Sequence, residues 1–167
     1  IVNNQVPNLY STALYGVFMD VTAKAGHGDY TIDKILFRHN IVGAEYPVTV
    51  YYRAGSYVGH ETSSSGWTLI GSINNVIENA NLSSIDIPDL TVSDGETWSF
   101  YCYNAQANFL FKASSSSTND DGNVVFFSGK GTSTQSAFGA STMVGFGTNL
   151  GVRYIGDAAT SDTRTPV

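Results

Sequence analysis

Charge is what this chain has least of. Charged residues fill 13% of its 167 positions, against ~25% in an average soluble protein. Eight Lys and Arg stand against fourteen Asp and Glu, for a formal net charge of −6. The basic residues are scattered singly, whereas a nucleic-acid backbone needs them clustered, so no nucleic-acid partner is expected. A low charge density also leaves little like-sign repulsion between copies, which lowers the barrier to self-association.

Cysteine is nearly absent. Cys102 stands alone, so no disulfide can form within the chain. Its setting, Trp98-Ser99-Phe100-Tyr101-Cys102-Tyr103, predicts a buried and inert thiol. No apolar run approaches the 18 or more residues of a membrane-spanning helix. Ile1-Val2-Asn3-Asn4 has neither the basic start nor the apolar stretch of a signal peptide, so an exported chain would be the processed form.

Catalytic signatures are missing as well. The histidines are His27 in a Gly-flanked turn, His39 beside Asn40, and His60 next to Glu61. No Gly-x-Ser-x-Gly elbow and no His-Glu-x-x-His pair accompanies them. His60 and Glu61 are adjacent, and adjacent strand residues point to opposite faces. The fourteen acids offer no pair in a suggestive context for glycoside hydrolysis. No catalytic residue, cofactor or resident metal is therefore expected. The cluster Asn119-Asp120-Asp121-Gly122-Asn123 has oxygen ligands of the kind calcium prefers, but such a cluster is first of all a turn.

What the chain does have is period-two alternation in short runs. Val17, Met19, Val21 and Ala23 fall on one face of a first strand, with Phe18, Asp20 and Thr22 on the other. Ile35 and Phe37 mark a second. Val48, Val50 and Tyr52 mark a third, starting after Pro47, where a missing backbone donor is tolerable. Trp67 and Leu69 predict a fourth. Ile85 and Ile87 precede Pro88, and Leu90 and Val92 follow it. Trp98, Phe100 and Cys102 alternate with Ser99, Tyr101 and Tyr103; Phe109 and Phe111, Val124 to Phe127, and Gly151 to Ile155 complete the set. Turn signals separate these runs, among them Ala25-Gly26-His27-Gly28-Asp29, Ser93-Asp94-Gly95-Glu96 and Asp120-Asp121-Gly122-Asn123. Many short strands at such spacing predict a single all-β domain, an antiparallel sandwich of jelly-roll type. The sandwich is expected over residues 12–156, with an Asn-rich extended arm over 1–11 and a small, polar tail over 157–167.

The middle of the chain resembles a family of secreted β-sandwich modules found in bacterial PEP-CTERM-type exported proteins and in extracellular proteins of diatoms and related algae. The residues that carry the resemblance are Phe18-Met19-Asp20-Val21-Thr22-Ala23-Lys24, the stretch from Val48 to Thr62, and Gly66-Trp67-Thr68-Leu69-Ile70-Gly71-Ser72. Later come Leu90 to Tyr101, Phe138-Gly139 and Gly151-Val152-Arg153-Tyr154. The resemblance spans roughly residues 16–156 and implies an extracellular sandwich, often repeated within surface or matrix proteins. It brings no catalytic residue with it. A sorting tail does not stand at Thr163-Arg164-Thr165-Pro166-Val167, so a bacterial anchor gains no support.

Ten Tyr, nine Phe and two Trp exceed what a sandwich core of this size needs. Tyr51, Tyr57 and Trp67 gather around one loop and are candidates for a glycan or protein contact; the competing reading is that such rings fill the core. Asn81-Leu82-Ser83 is an N-glycosylation acceptor triplet. Ile1, Val2 and Val6 are candidates for an assembly arm that adds as a strand to a neighbouring subunit. The expected function is that of an extracellular structural protein, a self-associating subunit of a fibre, sheath or matrix. A non-catalytic carbohydrate-binding or adhesion module is the alternative.

Overall fold

A computed structural model describes residues 2–5, 12–38, 46–79, 82–106, 109–112, 117–139, 142–144, 147–148 and 150–156. The strands are, in chain order, β1 (Val2–Gln5), β2 (Thr12–Leu14), β3 (Gly16–Ala23), β4 (Tyr30–Arg38) and β5 (Pro47–Ala54). Then come β6 (Thr68–Asn74), β7 (Val76–Asn79), β8 (Leu82–Val92), β9 (Thr97–Tyr103) and β10 (Phe109–Lys112). The last five are β11 (Ser117–Asp120), β12 (Val124–Thr132), β13 (Thr142–Val144), β14 (Gly147–Thr148) and β15 (Leu150–Gly156).

The protein is an all-β sandwich, and its strand ladders are antiparallel. The smaller main sheet has the order β1-β15-β4-β8-β7. The larger has the order β11-β12-β3-β9-β5-β6, with β13 also on β12, and β14-β10-β2 form a short third ribbon. The inward face of the larger sheet carries Val17, Met19, Val21, Ala23, Val48, Val50, Phe100 and Cys102, all buried. They pack against Ile32, Ile35, Phe37, Ile85 and Val152 of the facing sheet in one continuous core. Each of the Val, Ile, Met and Phe side chains among them contributes about 1.5–3 kcal/mol on burial. The predicted alternation in β3, β4, β5 and β9 is present, and Cys102 is buried, which pushes its thiol pKa up.

Three features depart from the expected pattern. Trp67 does not open a strand: β6 begins at Thr68 and Trp67 closes the preceding loop. Pro88 does not divide two strands either. β8 runs through it, and Ile87, Pro88 and Asp89 lie opposite the single residue Asp33, because Lys34 pairs Asp86 while Ile32 pairs Leu90. A bulge is where a strand tolerates a residue without a backbone donor. Finally, Val2–Gln5 is not a free arm here: it pairs with β15 of its own chain, Val2 opposite Tyr154 and Gln5 opposite Gly151.

The chain crosses from one sheet to the other at Asn75, between β6 and β7. This residue is buried, and its polar groups take over where the ladder stops. Its backbone N–H donates to the Tyr46 carbonyl at 3.3 Å, its amide nitrogen donates to Ser83 Oγ at 3.1 Å, and its amide oxygen accepts from the Tyr46 N–H.

Gly16, at the start of β3, lies under the Tyr101 ring. A Cβ there would stand 2.6 Å from the ring's hydroxyl and 2.7 Å from Cε1. Gly16→Ala should therefore lower stability by about 1–3 kcal/mol through overpacking, read as a lower urea midpoint with an unchanged slope.

Candidate functional site

The middle of the larger sheet's outward face is covered rather than left to solvent. Its register sets Lys130, Phe18, Tyr101, Tyr51 and Leu69 in one cross-strand row, and Phe127, Asp20, Ser99 and Arg53 in the next. Two loops fold back over these rows. Residues 55–67 bring Tyr57 and Trp67, and residues 133–139 bring Phe138. With Phe18 and Tyr101 these rings form a second buried cluster, separate from the core between the sheets.

Phe18 and Tyr101 are stacked, with centroids 4.1 Å apart and planes 11° from parallel. Tyr57 lies 5.6 Å from Phe18, Trp67 5.9 Å from Phe18, and Phe138 4.5 Å from Tyr101. Phe138 adopts a φ of +54°, which is unfavourable for a bulky residue. Ring packing and a 3.3 Å bond from its N–H to the Tyr101 hydroxyl hold it there. Arg53 places its guanidinium carbon 5.8 Å from the centre of the Trp67 ring, within cation–π reach.

Polar groups pin the 55–67 loop. The Asp20 carboxylate accepts from Ser56 Oγ at 2.5 Å and from the Tyr57 N–H at 2.9 Å. Burial raises the Asp20 pKa, the bonds from Ser56, Tyr57 and Ser99 oppose that rise, and the Glu61 charge adds to it. Trp67 Nε1 donates to the His60 carbonyl at 2.8 Å. On the far side, β12 carries a bulge between Phe127 and Lys130. It frees the Gly129 N–H, which donates to the Tyr57 hydroxyl at 3.0 Å, and it turns Lys130 toward the loop. Lys130 Nζ lies 2.6 Å from Glu61 Oε2. Glu61 is only 6% exposed. Its own burial would raise its pKa, but the bond from Lys130 and backbone N–H groups outweigh this and hold it below the usual glutamate range.

The structure thus brings Tyr51, Tyr57 and Trp67 together, as the sequence suggested, but packs them inward. Tyr57 is 3% and Trp67 9% exposed, so neither offers an open ring face to a sugar; Tyr51 is half-buried. Ile1, Val6, His39 and Asn81 lie outside the described residues. His60 is exposed and Glu61 buried, on opposite sides of a loop rather than of a strand. Sequence reasoning missed Phe138, Asp20 and the Glu61–Lys130 pair. A signal was present in β3, where Phe18 makes the second face apolar too and so calls for a cover.

An open cleft of about 270 Å³ lies between the sheets beside β6, lined by Tyr52, Leu69, Ile70, Ile87, Pro88 and Phe100 among others. At one end of the sandwich the turns interlock. Asp94 accepts from the backbone N–H groups of Gly26, His27 and Gly28 at 2.9–3.0 Å, and these bonds lower its pKa. Lys24 pairs with Asp120 at 2.9 Å and lowers its pKa. Asp121 accepts from the N–H groups of Asn123 and Val124 and from the Tyr154 hydroxyl. The calcium candidate at Asn119–Asn123 is thus a hairpin turn with its carboxylates engaged by the chain itself. Among the described residues, no three His, Cys, Asp or Glu are grouped to hold a metal.

No protein-family model matches the chain, and no curated protein or solved structure matches it. No helix among the described residues is long and apolar enough to cross a membrane. The fold alone therefore defines its class, an antiparallel β-sandwich module.

Two outcomes follow from this geometry. Trp67→Ala removes a buried ring and should cost about 3–5 kcal/mol, measured by chemical denaturation. Asp94 titrates below its unfolded value, so its ionisation stabilises the fold above the usual aspartate range and that contribution disappears as pH falls through the folded pKa. The stability gap between the native chain and Asp94→Asn should accordingly be present at pH 7 and shrink on acidification, in urea titrations at several pH values.

Proposed function

We propose that this protein is an extracellular structural subunit that associates with copies of itself. The observation that carries the reading is β6, an edge strand of the larger sheet. Its sequence, Thr68-Leu69-Ile70-Gly71-Ser72-Ile73-Asn74, contains no charge. Edge strands are usually guarded by Lys, Pro, bulges or inward charges against pairing with another chain. Here a bulge between Val50 and Tyr51 interrupts only the first half, and Gly71–Asn74 runs in regular register with Val50–Pro47. Leu69 is 57% exposed on the outward face, and Val58 in the neighbouring loop is exposed too.

Other features agree with a structural role. Asp20, Glu61, Asp94, Asp120 and Asp121 are each bonded to the protein's own groups, an arrangement that holds turns and loops in place. The low charge density and the resemblance to secreted sandwich modules point the same way. β1, a four-residue edge strand bonded to β15, offers a second ladder that two copies could exchange.

The alternative, a carbohydrate-binding or adhesion module, draws support from the open cleft beside β6, lined by the half-buried Tyr52 ring and by Ile70 and Pro88, a setting suited to a small ligand. Light scattering and electron microscopy separate the two readings. A structural subunit forms oligomers or filaments, and Leu69→Lys with Ser72→Lys returns it to a monomer with unchanged circular dichroism. A 17.9 kDa monomer at all concentrations would refute self-association, and a glycan retained by that monomer on an array would establish the alternative.

A further inference from the structure

We propose that Lys130 and Glu61 condense into an intramolecular amide bond that fastens the 55–67 loop to β12. The two residues are 69 positions apart in the chain, yet Lys130 Nζ lies 2.6 Å from Glu61 Oε2. The nitrogen is thus one carbon–oxygen bond away from the carbon it would attack, near the separation of about 3–3.5 Å at which bound groups react. Both side chains are held from either side. Glu61 is fixed in a loop anchored by Asp20 and by Trp67 Nε1. Lys130 is aimed by the bulge that also sends the Gly129 N–H to the Tyr57 hydroxyl.

The pair is partly withdrawn from water. The Glu61 side chain is 7% exposed and that of Lys130 is 26%, beside the point where the loop's Tyr57 and Trp67 pack on Phe18. An ion pair partly withdrawn from water bears some desolvation of its charges, whereas an amide has no charge to desolvate.

The chemistry balances without any added reagent. The ammonium of Lys130 gives up a proton, its lone pair attacks Glu61 Cδ, and a carbon–nitrogen bond forms. The carbon–oxygen bond to Oε2 breaks, and that oxygen leaves as water with the proton from Lys130 and a second from the same nitrogen. As an ion pair the partners are unreactive, since an ammonium has no free lone pair and a carboxylate carbon is a poor electrophile. A second acid that can carry the proton between them is therefore required. Asp20 is the candidate: its carboxylate bonds Ser56 and the Tyr57 N–H of the loop that bears Glu61, and on β3 it stands two residues from Phe18, the residue paired with Lys130. With a single cysteine in the chain, this amide is a covalent brace open to the fold where a disulfide is not.

Intact-mass spectrometry of the purified, denatured full chain tests the proposal. The expected mass is lower than that of the sequence by one water, and tandem spectra of a digest should contain a branched peptide joining Lys130 to Glu61. Lys130→Arg keeps the charge but should show its full sequence mass. Glu61→Gln should reach the same cross-linked mass as the native chain, because ammonia leaves in place of water. Asp20→Asn should fold, by near-ultraviolet circular dichroism, and accumulate the uncondensed form. A folded native chain with its full sequence mass would overturn the bond, and Asp20→Asn condensing as fast as the native chain would overturn the mechanism.

Discussion

The stack of Phe18 on Tyr101 organises the outer half of this molecule. Two rings with centroids 4.1 Å apart on the outward face of a sheet cannot stand in water without cost, because that face loses the hydrophobic gain that burial supplies. Loops 55–67 and 133–139 are the cover this stack requires. The stack in turn depends on Gly16, whose missing side chain leaves room for the Tyr101 ring. The Tyr101 hydroxyl bonds Thr132 at 2.8 Å and the Phe138 N–H, so the ring ties β9 to both β12 and a cover loop. Burial pushes that phenol up to about 12, which keeps it neutral and able to donate.

Charge is spent sparingly and locally. Asp94 gathers three backbone N–H groups from the β3–β4 turn, and Asp20 gathers a hydroxyl and a backbone N–H from the 55–67 loop. Each carboxylate satisfies donors that an irregular segment would otherwise leave unpaired. A chain with few charges can still hold long connections when each acid serves a turn in this way. The same economy leaves β6 without a charge, where an edge strand ordinarily carries a guarding lysine.

Much of the sandwich was legible beforehand because alternation reports one buried face directly. Val17, Met19, Val21 and Ala23 were readable as a stripe, and they line the core. Trp67 reads as strand because a ring two residues before Leu69 mimics alternation; tertiary burial by Phe18 and Phe138, not pairing, decides its place. Tyr51, Tyr57 and Trp67 were readable as neighbours, but not which way they face. That depends on whether the loop that bears them folds back, and the loop's own residues do not encode the face it covers.

The sequence by itself determined the class of fold, the absence of a disulfide and the sparse charge, since these follow from local periodicity and composition. Only the tertiary structure decided that Phe18 and Tyr101 are buried on the outward face of the larger sheet, that Asp20 bonds the loop bearing Glu61, and that Lys130 meets Glu61 across 69 positions. The physical reason is that these outcomes rest on register and on a bulge in β12. A shift of one residue there would carry Lys130 to the other face of the sheet, and nothing in the local sequence counts that residue.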